Sequence, residues 1–79
     1  MDARRLARIR WRCRRGLLEN DLILTRFLDA RGAALGDEQV VMLDKLLDLP
    51  DNDLWDVIAG RVEPLDATVA PLVDELRRI

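Results

Sequence analysis

The stretch "CRRGLLEND", Cys13 to Asp21, decides how this chain is divided. Arg14 and Arg15 close a block of arginines, Gly16 interrupts it, and a new apolar run begins at Leu17. A glycine so placed stops one helix and serves as N-cap of the next, with Glu19 three residues on reaching back in the manner of a capping box. Arg15 is spaced to pair with Glu19, although an exposed pair of this kind contributes only ~0–1 kcal/mol. The same glycine, having no side chain, also lets another backbone approach closely. A helix boundary and a surface read by another protein both fit this stretch, and the rest of the chain has to decide.

Working outward, Gly32, Gly36, Pro50, Gly60 and Pro64 punctuate intervals whose apolar residues recur at helical rather than alternating spacing. The pattern predicts five helices near 3–14, 17–31, 38–48, 52–59 and 66–78, an all-α, compact five-helix bundle with one domain over 1–79. Asp37, Asp51 and Asp66 are placed to cap the third, fourth and fifth helices. Gly60 suits a left-handed residue after the fourth. Arg77 and Arg78 sit at the negative end of the last helix, and Pro71 inside it calls for a kink or a late start. Helix two carries Leu17, Leu18, Leu22, Ile23, Leu24, Phe27 and Leu28 around most of its circumference, with a narrow polar strip holding Glu19 and Arg26. It is expected to be the central helix, packed on all sides.

The chain has 79 residues, 49% apolar and 35% charged, enough for one core and too few for two. One cysteine and no histidine leave neither a disulfide nor a zinc set, so a metal-free intracellular protein is expected. No run reaches the ~18–20 apolar residues of a membrane span. Residues 1–16 are Arg-rich like a mitochondrial presequence, but they lack serine and run into the motif without a cleavage-like break, so they are read as mature protein. Charge is divided sharply: residues 1–16 hold seven arginines against Asp2, and residues 17–79 hold six basic against fourteen acidic side chains. Such a division steers association without naming the partner.

On the first helix Leu6, Ile9 and Cys13 share one face, and Arg4, Arg8, Trp11 and Arg15 lie opposite. The indole is thus expected on the outside among arginines. In one reading it lies over its neighbours' methylenes on a solvated face. In the other, Trp and Arg, the residues most enriched at binding hot spots, form a contact patch.

"ARIRWRCRRGLLEND", with Arg8, Trp11, Arg15, Gly16, Glu19 and Asp21, strongly resembles the RGxxE segment of the FAD assembly factor SdhE family, bacterial relatives of the mitochondrial succinate dehydrogenase assembly factor. "LLDLPDNDLWDVIAG" resembles that family's acidic turn before the fourth helix, with Asp51, Asp53 and Leu54 in place. The likeness runs from about Ala7 to Leu76. One departure is Val57, where family members commonly carry Trp; Trp55 lies about 200° round the helix from that position and does not replace it. The resemblance implies a chaperone that binds the flavoprotein subunit of succinate dehydrogenase, and in some bacteria of fumarate reductase, and promotes covalent attachment of FAD to a client histidine. It implies partner-binding roles for Arg8, Trp11, Arg15, Gly16 and Glu19, with no cofactor of the chain's own, since FAD belongs to the client. The chain has no His, no Tyr, no Gly-rich dinucleotide fingerprint and no cysteine pair, so an enzyme in its own right is not expected. A cytoplasmic, bacterial monomer without nucleic acid or membrane insertion completes the expectation. The rival class is a small Arg-rich nucleic-acid-binding protein or an antitoxin-type regulator.

Overall fold

In the computed structural model, which describes residues 2–79, the chain opens on a cap: Asp2 Oδ1 accepts from the Arg5 amide at 2.8 Å and starts α1 (Ala3–Arg12). There follow α2 (Leu18–Arg31), α3 (Asp37–Leu47), α4 (Asp51–Ile58) and α5 (Ala70–Arg77), with 3-10 turns at Gly32–Ala34 and Ala67–Val69. The Cα radius of gyration is 11.4 Å, close to the ~12 Å of a folded domain of this length. The expected all-α five-helix bundle is what forms.

The helix ends show where local signals govern and where distant partners override them. Gly60 adopts φ +80°, and the Gly60 and Arg61 amides return to the carbonyls of Val57 and Asp56, closing α4 as a Schellman motif. Asp66 Oδ1 accepts from the Thr68 amide at 2.9 Å. Pro71 falls in the first turn of α5, where its missing amide costs nothing, so the helix starts late and runs without a kink. Two expected caps are displaced. Gly36 caps α3, its amide donating to Gln39 Oε1 at 3.3 Å, and Asp37 is already helical with its carboxylate on Arg5. Pro50 precedes α4, and the Asp51 carboxylate leaves its own helix for Arg15 and Gly16. Arg77 also turns away from its own helix: Nε and Nη2 donate to the Val57 carbonyl at 3.0 and 2.9 Å, tying α5 to the end of α4.

The core draws on every helix: Ile9 and Cys13 of the α1 segment, Leu24, Phe27 and Leu28 of α2, Val40, Leu43, Leu46 and Leu47 of α3, Leu54, Val57 and Ile58 of α4, and Leu72, Val73 and Leu76 of α5. Val57 is one of three buried positions on α4, and Trp55 packs against the core from its flank. The expectation for α2 needs correction. It buries one face only, and Leu18 and Leu22 stand 62% and 48% exposed beside Glu19. A polar residue, Asn20, occupies the buried stripe instead, fully enclosed.

Candidate docking surface around the first helix

Helix α1 is set against the bundle by a narrow apolar seam, Leu6, Ile9 and Cys13, with arginines on both flanks. Arg5 reaches Asp37 at 3.3 Å, Arg10 reaches Asp29 at 2.9 Å, and Arg12 spans Asp44 and Asp48 at 2.7 and 2.8 Å. Asp37, Asp44 and Asp48 share one side of α3, so the two helices are laced by charge along their length. Much of the positive charge of residues 1–16 is therefore used within the molecule.

What is left over is specific. Arg4, Arg8 and Arg14 have no carboxylate partner among the described residues, and they surround Trp11, which is 70% exposed. The Arg14 guanidinium lies 5.4 Å from the centre of the indole, within cation–π range. Arg4, Ala7, Arg8, Trp11 and Arg12 line a shallow open groove. On the other side of Arg14 an open cleft of about 540 Å³ separates α1 from α2, lined also by Arg10, Cys13, Asp21, Thr25 and Leu28. Burial pushes the Cys13 thiol up to about 12, which makes it an inert part of the core rather than a nucleophile.

The glycine turn is built differently from the simple boundary expected of it. α1 ends at Arg12 and α2 begins after Leu17, so Cys13–Leu17 is a connector, and Gly16 neither ends the first helix nor caps the second. Because Arg15 lies beyond the last helical residue, it leaves the outer face and turns inward. Its Nε donates to Asp51 Oδ1 at 2.6 Å, Nη1 to the Leu47 carbonyl at 2.8 Å, and Nη2 to the Leu49 carbonyl at 2.5 Å. Only 16% of the side chain remains exposed. The Gly16 amide donates to Asp51 Oδ2 at 3.0 Å, and Asn20 Nδ2 to the Asp51 carbonyl at 2.9 Å. The Arg15 hydrogen bond above all, helped by the Gly16 amide, holds the Asp51 carboxyl below the usual carboxylate range. Gly16 does not need a left-handed backbone; a Cβ there would stand 3.3 Å from Asp51 Oδ2. Glu19 is exposed in the first turn of α2 and pairs with neither Arg15 nor any other cation among the described residues.

Of the five residues singled out by sequence, Arg8, Trp11, Gly16 and Glu19 are thus exposed and Arg15 is enclosed. Sequence reasoning missed Asp51 and Asn20 as organisers of the turn, and Leu18 and Leu22 as surface. Asn20 had a signal, since an amide in the same stripe as Leu24, Phe27 and Leu28 needs a partner inside.

An indole, free guanidiniums and an unpaired carboxylate are the groups of recognition chemistry, and here a small all-α protein presents them. A family model described as flavinator of succinate dehydrogenase matches residues 7–79, and the chain belongs to that family. It is 50% identical over 72 residues to the FAD assembly factor SdhE of Ralstonia nicotianae, covering 91% of this chain and 76% of the relative. The FAD assembly factor SdhE of Shewanella oneidensis is 35% identical over 77 residues, covering 98% and 94%, and that of Coxiella burnetii 33% over 72 residues, covering 91% and 88%. No solved structure matches the chain. No helix of the described residues is long and apolar enough to cross a membrane.

Proposed function

We propose that this chain is a cytoplasmic, monomeric assembly factor that docks on the flavoprotein subunit of succinate dehydrogenase, and of fumarate reductase where that enzyme is present, and promotes its covalent flavinylation. The observation that carries the reading is the exposed Trp11 ringed by the unpaired Arg4, Arg8 and Arg14. An indole held in water has given up the ~1.5–3 kcal/mol that burying a large apolar side chain provides. A partner that covers it recovers that term, and the arginines supply forked hydrogen bonds to partner carboxylates. Arg8 and Trp11 make the main contact, Gly16 lets the partner's backbone come close, and Glu19 offers a complementary charge. The bond-forming groups belong to the client and its flavin. The chain acts by favouring a client arrangement in which the histidine faces the flavin's 8α-methyl carbon, and positioning of this kind raises a rate without a catalytic group from the chaperone.

The pairing of Arg5, Arg10, Arg12 and Arg15 with acids weighs against the nucleic-acid reading, because few arginines remain to track a phosphate backbone. The test is in-gel fluorescence of covalent flavin on the client after incubation with FAD and either the wild-type chain or Trp11→Ala. The variant is expected to lower the yield by about tenfold or more while keeping the wild-type helical spectrum. Equal yields would refute the docking role of the indole.

A further inference from the structure

We infer that Asp51, at the start of α4, is a positioning residue of the docking surface: it fixes the segment from Gly16 to Glu19 in the form the flavoprotein partner reads, and Arg15 contributes through Asp51 rather than by touching the partner. The inference rests on the docking reading above and deepens it.

Arg15 is spent inside the molecule. Each of its three guanidinium nitrogens has an acceptor on the α3–α4 junction. One of those acceptors, the Leu47 carbonyl, belongs to the last turn of α3, where a helix leaves carbonyls unpaired and favours a cation, and the Leu49 carbonyl follows just beyond it. Asp51 sits in the first turn of α4, where an anion is favoured. The pair thus joins two helix ends of opposite polarity, and both members have strong local reasons to stay.

Onto this fixed carboxylate the connector is tied. Oδ1 takes Arg15 and Oδ2 takes the Gly16 amide, while the Asp51 carbonyl takes Asn20. Leu17, Leu18 and Glu19 lie between the Gly16 and Asn20 tethers, and Leu18 and Glu19 are exposed. Where those two side chains stand is therefore set by Asp51. Asp51 also limits the space at position 16, where an added Cβ would stand 3.3 Å from its Oδ2. A Cβ would press on a carboxylate oxygen that Arg15 prevents from swinging away.

Direct and indirect roles for Arg15 predict different outcomes for Asp51→Ala. If Arg15 touched the partner, removing Asp51 would free it to do so and binding would be kept. If it acts through Asp51, Asp51→Ala and Arg15→Ala lose the same thing. The experiment measures affinity for the purified flavoprotein subunit of succinate dehydrogenase, together with amide hydrogen exchange of the free chain, for Arg15→Ala, Asp51→Ala, the double variant and Asp51→Asn. Asp51→Asn puts an NH2 donor in place of one of the two oxygens that Arg15 and Gly16 use, so both present contacts cannot be kept, and it remains informative if an alanine variant fails to fold.

The expected result is faster exchange at Gly16 with the core amides of Leu24 and Leu43 still protected. Affinity should fall by about tenfold or more in each single variant, with no further loss in the double. Val69→Ala, a core truncation remote in sequence from the turn, should lower the melting temperature and leave the affinity unchanged. Wild-type affinity in Asp51→Asn, or losses that multiply in the double variant, would overturn the inference. A wild-type chain that does not bind the subunit would instead overturn the docking reading, and the exchange of Gly16 would still judge the tether.

Discussion

Trp11 and Trp55 show how one side chain type divides into two roles. Trp55 packs against the core from the flank of α4, and Trp11 stands 70% exposed with Arg14 beside its ring. The aspartates divide in a similar way. Asp66 is a local cap whose carboxyl is held down to about 2 by the hydroxyl and amide of Thr68, with help from Lys45, and Asp51 is held low by Arg15 across the molecule. Each carboxyl titrates lower in the folded chain than the ~3.9 of an unfolded aspartate, so each adds stability above that value and loses it as pH falls through the folded one. Melting temperature is therefore expected to drop between about pH 4 and pH 2, and the drop should be shallower in Asp66→Ala, whose wild-type residue titrates across that window. A thermal scan at several pH values checks it; an unchanged slope in the variant would contradict the assignment.

At the scale of elements, some turn residues with near partners are legible in the sequence, the Gly36–Gln39 cap is not, and residues with distant partners are hidden from it. Gly60, Asp66 and Pro71 act within their own turns, and the structure places them as their neighbours imply. Asp37, Asp51 and Arg15 find partners more than thirty positions away, and Arg77 reaches Val57, Val62 and Glu63 across a turn, which no spacing rule reveals. The outer face expected for Arg15 rests on a wheel of 100° per residue, which stops applying where α1 stops, at Arg12. Side chain type points Leu18 and Leu22 to the interior, but apolar character alone does not decide burial, and both are exposed. The left-handed backbone at Gly60 predicts that Gly60→Ala costs about 1–2 kcal/mol by chemical denaturation, since no atom crowds a Cβ there and strain is the whole effect. The lacing of α1 predicts a salt effect. Exposed ion pairs are screened when the Debye length shrinks to ~3 Å in about 1 M salt, so the amides of α1 should then exchange faster while those around Leu24 in α2 keep their protection. Equal protection of α1 at low and high salt would show that the apolar seam alone holds it.

Over the whole molecule, a chain of 79 residues has one core and little stability to spare, ~3–5 kcal/mol for a domain of this size. Phe27 is almost wholly buried, and its truncation to alanine typically costs ~3–5 kcal/mol, so Phe27→Ala is expected to leave most of the chain unfolded by circular dichroism at 37 °C. The exposed indole is a large apolar group withheld from a core whose one fully buried aromatic side chain is Phe27. The charge division seen along the sequence is folded back on itself by pairs from α1 to α2 and α3 and from Arg15 to the start of α4, and the arginines of residues 1–16 left without a carboxylate among the described residues, Arg4, Arg8 and Arg14, lie around the indole. In the proposed docking, the bundle is the frame that presents one side of α1 and the turn after it.

The most direct test of that account is to titrate the purified flavoprotein subunit of succinate dehydrogenase into the isotopically labelled chain and follow the two indole N–H resonances. Trp11 is expected to broaden or shift together with the amides of Gly16 to Glu19, with Trp55 and α5 left in place. Movement of Trp55 and α5 with Trp11 unaffected would contradict it.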